Sequence, residues 1–281
     1  MRLLRVYGWL AFASVALTSV EETARREENM RPHMTQTLQR FGRCLVAGVV
    51  REGVVEDEYF VVGQERFSRD LITPLAPCSP TKIIGIGRNY AAHAKEMNNP
   101  LPKEPLLFFK PPSAVIAPGA DIVYPPQTKE LHFEGELAVV IGARCRNVAK
   151  ADAAGVIRGY TLCNDLTARD LQRSDDQWAR AKGFDTFAPL GPWIVSGIDP
   201  SALRLRTFVN GALRQDSPTS DLIFDVPTLI QYVSASFTLE PGDVVTTGTP
   251  AGVGPVQPGD VIEVSIDEIG VLRNRVVAGS L

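Results

Sequence analysis

The chain has 281 residues, of which 44% are apolar and 22% are charged, enough for one large globular domain and a smaller appendage. Its 29 basic and 32 acidic residues nearly cancel, which argues against a nucleic-acid-binding face. The four cysteines form no CxxC pair and only three histidines are present. This composition argues against a zinc cluster and favours oxygen ligands for any bound metal.

Residues 1–33 form an extension that allows two interpretations. Arg2 and Arg5 precede an apolar run from Val6 to Val20, as in a secretory signal. The charged stretch that follows offers no small-x-small cleavage site, and the run is too short and mixed for a membrane span. We therefore expect that translation starts at Met30 or Met34, or that the stretch is a disordered extension, and that the protein is cytoplasmic.

Residues 34–78 are predicted to form a small, β-rich N-terminal domain. The runs Cys44–Val50 and Glu58–Val62 are typical of paired strands, with a turn at Arg51–Gly53. The segment Pro74–Pro80 contains three prolines and is the predicted boundary. Residues 79–281 would then form the larger, catalytic domain.

The larger segment is dominated by short strand-like patterns. Apolar runs predict strands at 82–86, 106–109, 137–141 and 159–163. Asn210-Gly211 predicts a hairpin, and Pro-Gly-Asp turns at Pro241 and Pro258 each precede a strand. One helix is indicated by apolar residues at helical spacing, with Asp225 as its cap and Pro227 in its first turn: Val226, Leu229, Ile230, Val233 and Phe237. The fold class is therefore α+β, predominantly β.

Two glutamates stand at the start of one of these strands. Glu134 and Glu136 precede the apolar run Leu137–Ile141, and alternate residues of a strand share a face, about 7 Å apart at their Cα atoms. Two carboxylates carried into the core repel each other unless a cation or protons intervene. The alternative is an exposed edge strand on which each glutamate is solvated.

A third carboxylate follows another strand. Asp165, in Asn164–Asp170, comes directly after the strand 159–163 and before a predicted helix. Its ordinary role would be a helix cap. Grouped with the two glutamates it would instead complete a set of oxygen ligands that suits Mg²⁺, Mn²⁺ or Ca²⁺ better than zinc.

A histidine and a glutamate are neighbours on a predicted helix. The segment that contains them begins Gly85-Ile-Gly87, but it lacks the third glycine and the βαβ context of a dinucleotide-binding fold. His93 and Glu96 are three residues apart and so share a helix face. The carboxylate would orient the imidazole and raise its basicity, as in a water-activating pair. The alternative is a pair on the surface.

Two further segments carry less specific signals. Lys182 lies in a loop rich in glycine and phenylalanine, although most lysines are simply solvated. The segment Thr246–Gly254 is a glycine-rich loop without the Lys-Ser/Thr ending of a phosphate loop. Its glycines permit either close approach to a ligand or a tight turn.

Taken in order, these segments resemble the fumarylacetoacetate hydrolase family. Six stretches between residue 82 and the C-terminus carry the resemblance: Gly87–His93, Leu107–Pro111, Glu134-x-Glu136, Asn164–Asp170, Ala181–Phe184 and Thr247–Gly254. Each stretch alone is a weak signal, and their shared order is specific. The resemblance implies the mixed β-sandwich roll of the family's C-terminal domain type, usually as a homodimer.

The resemblance also implies roles for individual residues. It implies Mg²⁺ or Mn²⁺, with Ca²⁺ as a further candidate, held by Glu134, Glu136 and Asp165. The water-activating pair corresponds to His93 and Glu96, and the active-site lysine corresponds to Lys182. Positions that contact the substrate's carboxylate and keto oxygens in some members correspond to Arg169, Gln172 and Thr249. Lys110 also matches a family position, to which no role is given.

Three hypotheses about function follow. The first is a divalent-metal-dependent hydrolase that cleaves a C–C bond in a small acylpyruvate or β-diketo acid through a metal-stabilised enolate. The second is an isomerase or decarboxylase of a 2-hydroxymuconate-type diacid from aromatic catabolism, or an oxaloacetate decarboxylase. The third is a metal-stabilised binding protein without turnover. We expect a small 2-oxo acid as the partner, and neither nucleic acid nor a membrane.

Overall fold

A wide mixed sheet forms the centre of the protein in the computed structural model, which describes residues 37–97 and 100–279. Its order is β4-β3-β2-β1-β14-β12-β11-β17-β6-β7, with β5 beside β1 and β8 beside β14. Its strands are β1 (Gln39–Val46), β2 (Val49–Glu56), β3 (Tyr59–Val62), β4 (Glu65–Ser68), β5 (Ile72–Pro74), β6 (Ile83–Gly87), β7 (Leu106–Lys110), β8 (Val115–Ile116), β11 (Gly135–Ile141), β12 (Ile157–Asn164), β14 (Ala188–Ser196) and β17 (Val244–Thr246).

Two smaller sheets accompany it. One has the order β16-β15-β19-β20-β9 and the other the order β13-β10-β18. Their strands are β9 (Asp121–Tyr124), β10 (Leu131–Phe133), β13 (Thr167–Ala168), β15 (Arg204–Val209), β16 (Ala212–Pro218), β18 (Gly254–Pro255), β19 (Val261–Ile266) and β20 (Gly270–Ala278). The five-stranded sheet packs against β11, β12 and β14. The predicted β-dominated α+β roll is confirmed.

The α-helices of the described residues are short and sit between strands. They are α1 (Ala91–Glu96), α2 (Arg169–Ser174), α3 (Ala179–Gly183) and α4 (Val226–Ser236). Short 3₁₀ segments span Arg69–Leu71, Pro112–Ala114, Lys150–Val156 and Thr219–Asp221. Within the described ranges, none of the helices has the length and apolarity needed to cross a bilayer. The predicted extension 1–33 lies outside the described residues.

The predicted helix and most predicted turns are confirmed. Asp225 caps α4, where its carboxylate accepts a hydrogen bond from Thr228 N at 2.9 Å. Asn210 and Gly211 both have positive φ angles, 52° and 78°, as a tight hairpin between β15 and β16 requires. The two Pro-Gly-Asp turns lead directly into β17 and β19.

The predicted turn at Arg51–Gly53 is wrong. The chain turns earlier, at Ala47 and Gly48, whose φ angles are 47° and 81°, and β2 runs straight through residues 51–53. A Cβ atom on Gly53 would lie 2.2 Å from the Val61 carbonyl oxygen. Glycine therefore stands there because two strands approach closely, and its turn-forming tendency plays no part.

The segment 34–78 shares a sheet with the segment that follows. Its described part is β-rich, as predicted, and β1 pairs with β14, with Gln39 opposite Ser196 and Phe41 opposite Ile194. The residues from Thr37 onward belong to one compact unit. The domain boundary between residues 78 and 79 stays a prediction. The β1–β14 pairing joins a strand before this boundary to a strand after it.

Strand β11 lies between two layers of the core. Leu137, Val139 and Ile141 belong to one buried cluster, whereas Ala138 and Val140 belong to another. A strand covered on both faces reads as the continuous apolar run seen in the sequence. By the same alternation, Glu136 shares the face of Ala138 and Val140, and Glu134 directly precedes the strand. The two carboxylates are thereby directed toward the end of the second cluster.

Candidate active site

Three carboxylates from separate segments meet in the interior. Glu134, Glu136 and Asp165 each offer one oxygen, and these oxygens lie within 4.8 Å of one another. The residues are 4%, 1% and 0% exposed, so the alternative of solvated glutamates on an edge strand is wrong. Asp165 does not cap α2 either, because the N-cap residue of α2 is Ala168, which makes no side-chain hydrogen bond to the helix.

Pairing between β11 and β12 brings Glu134 next to Asp165. Gly135 lies opposite Asn164 in the register. Asp165 N donates to the Glu134 carbonyl at 2.8 Å, and Glu134 N donates to Asn164 Oδ1 at 3.0 Å. Glu134 itself lies in a break between β10 and β11, so the predicted continuous strand is interrupted there. These two hydrogen bonds hold Glu134 beside Asp165, although the two residues are about thirty positions apart in the sequence.

The glycine between the two glutamates is required by packing. A Cβ atom on Gly135 would lie 2.1 Å from Thr207 Oγ1. Gln215 is fully buried and accepts a hydrogen bond from Gly135 N at 3.1 Å. Its amide nitrogen donates to Thr249 Oγ1 at 2.7 Å, and Thr249 Oγ1 in turn donates to the Gly135 carbonyl at 2.9 Å. Strands β15 and β16 thus hold the peptide that carries the glutamates.

The glycine-rich loop reaches the second glutamate. Gly248 has a φ angle of 97°, and its N–H donates to Glu136 Oε2 at 2.8 Å. A Cβ atom there would lie 2.8 Å from Asn89 Cβ. Asn89 is buried and donates to the carbonyl of Thr247 at 2.8 Å. Of the two interpretations of this loop, its structure favours close approach to a site.

Three buried cations surround the carboxylates. Lys182 Nζ donates to Glu134 Oε2 at 2.7 Å and also pairs with Asp165. Arg169 pairs with Glu134 and donates to Gln172 Oε1 at 2.8 Å. Lys110, for which no role was predicted, has its Nζ 2.6 Å from Asp165 Oδ1 and donates to the Leu166 carbonyl at 3.1 Å.

The environments of the two glutamates shift their pKa values in opposite directions. Burial alone would raise the pKa of Glu134, but the charges of Arg169 and Lys182 outweigh it and hold this pKa below the ordinary value. Burial raises the pKa of Glu136 well above the ordinary value, and the charges of Asp165 and Glu134 add to this rise. Of the two glutamates, Glu136 therefore gains more from an additional positive charge beside it.

The donor set fits a hard divalent cation. The three residues supply carboxylate oxygens only, which suits Mg²⁺, Mn²⁺ or Ca²⁺. Oδ1 of Asp165 is buried and accepts no hydrogen bond among the described residues, because Lys110 is close but not aligned as a donor to it. A buried carboxylate oxygen that pairs with a lysine but accepts no aligned hydrogen bond can also serve as a ligand for a cation.

His93 and Glu96 form the predicted pair on α1. His93 is 6% exposed, and its Nδ1 lies 3.1 Å from Glu96 Oε2. Glu96 Oε1 accepts a second hydrogen bond from Gly252 N at 3.0 Å. The glutamate is therefore held by the glycine-rich loop, and it in turn holds the imidazole. Nε2 of His93 is the ring nitrogen left for other contacts.

Eight of the nine predicted site residues line one cavity of about 320 Å³, within the range of small-molecule sites. They are His93, Glu134, Glu136, Asp165, Arg169, Gln172, Lys182 and Thr249. The ninth, Glu96, contacts the cavity through His93. The predicted substrate contact of Thr249 must share a hydroxyl that already bonds Gly135 and Gln215. The roles of all nine residues stay predictions.

Two residues that support this site, Gln215 and Lys110, have no role predicted from the sequence. Gln215 was missed because its position follows only from the packing of β16 against the peptide at Gly135. Lys110 lies in a stretch that had been singled out, and a lysine inside an apolar run was a usable signal. A fully buried lysine needs a partner, which is Asp165.

Comparison with known proteins gives a consistent result. Residues 82–277 match the family model described as fumarylacetoacetate (FAA) hydrolase C-terminal. A mitochondrial oxaloacetate tautomerase of Bos taurus is 44% identical over 222 residues, which cover 74% of this chain and 71% of that protein.

Solved structures are similar as well. The 5-carboxymethyl-2-hydroxymuconate delta-isomerase of Mycobacterium smegmatis is 45% identical with a TM-score of 0.81, over 86% of this chain and 100% of that chain. The maleylpyruvate hydrolase of Sphingobium sp. SYK-6, in complex with manganese(II) and pyruvate, is 32% identical with a TM-score of 0.73, over the same shares.

Proposed function

This chain belongs to the fumarylacetoacetate hydrolase family, and we propose that it is a divalent-metal-dependent enzyme that hydrolyses a C–C bond in a small acylpyruvate or β-diketo acid. Named relatives are hydrolases, isomerases and tautomerases. The observation that carries the proposal is the buried carboxylate cluster beside a His93–Glu96 pair in one cavity.

We assign the metal a set of ligands and a chemical role. Glu134, Glu136 and Asp165 would hold Mg²⁺ or Mn²⁺. A bound divalent cation supplies a Lewis acid that favours negative charge on a substrate's carboxylate and 2-oxo oxygens. The manganese(II) and pyruvate named with the Sphingobium hydrolase support this assignment for a related protein.

The residues of the chain supply the proton chemistry. Glu96 orients His93 through Nδ1, so that Nε2 can accept a proton from water. The water oxygen attacks the carbonyl beyond C3, the C–C bond breaks, and its electron pair stays on the pyruvate fragment as an enolate. Lys182 would stabilise the developing oxyanion or protonate C3 of that fragment. Arg169 and Gln172 would bind the carboxylate.

A second candidate reaction is keto–enol tautomerisation or isomerisation of a 2-oxo diacid. It is favoured by the names of two relatives that are 44% and 45% identical. The same base would then take a proton from C3 of the substrate, and no water would be consumed. Decarboxylation of oxaloacetate would release CO₂ and leave the same pyruvate enolate as the hydrolysis does. A binding protein without turnover is disfavoured, because eight of the nine residues assigned to the chemistry line the cavity.

One set of assays separates these reactions. The protein with Mg²⁺ or Mn²⁺ is offered acetylpyruvate, oxaloacetate and a hydroxymuconate-type diacid, and pyruvate release is measured beside the loss of enol absorbance. Hydrolysis releases pyruvate from acetylpyruvate, whereas tautomerisation changes only the absorbance. Full activity in the presence of a chelator would contradict metal dependence. Absence of turnover on all three would support the binding protein.

The histidine pair has its own test. We expect His93→Ala to bind metal as the unchanged protein does and to lose hydrolysis, because the base is removed and the carboxylates remain. Glu134→Ala should lose both. Normal hydrolysis by His93→Ala would show that the pair is not the base. A cytoplasmic location and a homodimer remain part of the proposal.

A further inference from the structure

Arg88 is a cation of the cavity wall that the proposed reaction does not use. It lines the cavity that holds the carboxylate cluster, together with Phe108 and Trp178. The same three residues line a neighbouring groove that continues past Leu106 to Gln177. Arg88 therefore lies on the wall that the cavity shares with the groove.

The other cations of this cavity are already paired. Arg169 and Lys182 pair with Glu134, and Arg173 pairs with Glu130. Arg88 makes neither an ion pair nor a side-chain hydrogen bond with any residue that the structure describes, including Asp176 in the groove. It is only half-buried. An arginine with a free planar fork beside a ligand cavity is suited to bind a carboxylate in two places at once.

The backbone holds Arg88 in a conformation that the chain does not adopt without support. Its φ angle is 60°, in the left-handed region where residues other than glycine and asparagine are uncommon. The next residue, Asn89, fixes this turn. It donates to the carbonyls of Phe224 and Thr247 and accepts from Phe224 N at 2.8 Å. Such a conformation persists where surrounding contacts determine it, and it is often found at ligand sites.

From this geometry we infer that Arg88 binds a second, distal carboxylate of the substrate, so that the enzyme acts on 2-oxo diacids in preference to 2-oxo acids with an apolar end. The inference rests on the proposed function and extends it to the substrate's far end. Arg169 and Gln172 serve the carboxylate next to the 2-oxo group. The aromatic rings of Phe108 and Trp178, with centroids 5.7 Å apart, flank the carbon chain in between.

A matched pair of substrates tests this assignment. We choose 2,4-dioxoheptanedioate, which ends in a carboxylate, and 2,4-dioxoheptanoate, which has the same length and ends in a methyl group. Pyruvate release and enol absorbance are both followed, so that hydrolysis and tautomerisation are each detected. The holoenzyme should show a kcat/KM at least tenfold higher for the diacid.

Two variants of Arg88 and one control are compared. Arg88→Gln should reduce the diacid-to-monoacid ratio of kcat/KM at least tenfold, mainly through a higher KM, because the lost contact is remote from the reacting bond. Arg88→Lys keeps a positive charge and should retain part of the preference. Arg173→Gln changes a cation that lines the same cavity but is already paired with Glu130, and it should leave the ratio as it was.

The outcomes are distinguishable from failure of the proposed function. If the holoenzyme turns over neither substrate nor any other 2-oxo acid, the proposed function fails. If it turns over both, but Arg88→Gln lowers both kcat/KM values by the same factor, the assignment of Arg88 is overturned. If Arg88→Gln unfolds, the diacid-to-monoacid ratio of Arg88→Lys is used instead. Full retention of the diacid preference in Arg88→Lys would show that the planar guanidinium of Arg88 is not needed, and it would overturn the assignment. If Arg173→Gln lost the diacid preference, the assignment of Arg88 would be overturned and the distal carboxylate would be assigned to Arg173.

Discussion

Gly135→Ala is the substitution whose effect follows most directly from the structure. The added Cβ atom would lie 2.1 Å from Thr207 Oγ1, and its next contacts are Gln215 Oε1 and Val264 Cγ1, both at 3.2 Å. The first separation is far below van der Waals contact, and Thr207 is fully buried in β15. Either the peptide between the two glutamates or the strand beneath it must move.

The expected loss is that of an overpacked core, about 1–3 kcal/mol of unfolding free energy. For a domain of this size each kcal/mol lowers Tm by about 2–4 °C. Thermal unfolding in the presence of a chelator measures this loss apart from any contribution of metal. The displaced peptide carries Glu134 and Glu136, so affinity for Mn²⁺ should also fall.

Two further variants make the test specific. Thr207→Ala removes the clashing oxygen, which has no hydrogen-bond partner in the described residues, so the double variant Gly135→Ala/Thr207→Ala should recover most of the stability. Gly155→Ala is the control, because nothing lies within 4 Å of its Cβ position, and it should leave Tm nearly the same. Wild-type Tm and Mn²⁺ affinity in Gly135→Ala, or no recovery in the double variant, would refute the packing argument.

Two other predictions concern buried charges. Lys110→Met leaves Asp165 paired with Lys182 alone, and it should cost less than about 3–5 kcal/mol of unfolding free energy, the loss expected for a fully uncompensated buried charge. The exposed control Lys129→Met should cost little in the same urea unfolding experiment, and equal stability of the two variants would contradict the role of Lys110. Asp243 is buried, and although burial alone would raise its pKa, its hydrogen bonds and the charge of Lys82 hold that pKa below the ordinary value. Its stabilising contribution is therefore complete above about pH 4, its unfolded pKa, and is lost as the pH falls through the lower folded pKa. The stability difference between the protein and Asp243→Asn, measured by urea unfolding, should shrink on acidification below pH 4, and a difference that stays constant down to pH 2.5 would disprove this linkage.

Much of the site could be predicted from the sequence because the patterns that indicate it lie within short segments. Strand β11, which begins directly after Glu134 and contains Glu136, is indicated by its apolar run, and burial of that run brings both carboxylates inside. His93 and Glu96 are three residues apart, so any helix at that place brings them together. The helix α4 was equally clear, since its cap and its apolar stripe both lie in one stretch of sequence.

Other features depend on contacts between distant segments. Gln215 supports Gly135 across 80 residues of sequence, and no periodicity marks a glutamine that is buried by sheet packing. The turn at Ala47-Gly48 was missed because Gly53 looks like a turn residue, whereas its role is to admit the Val61 carbonyl. The pairing of Lys110 with Asp165 could be inferred only once β7 and the segment after β12 were placed.

Binding of Mn²⁺, measured by isothermal titration and by the loss of the free-ion signal in electron paramagnetic resonance, tests the central claim most directly. Asp165→Asn and Glu136→Gln keep the shape of each side chain and remove its charge. We expect one Mn²⁺ per chain in the unchanged protein and in His93→Ala, with at least tenfold weaker binding in both carboxylate variants. Equal binding in all four proteins, or no binding in any, would contradict it.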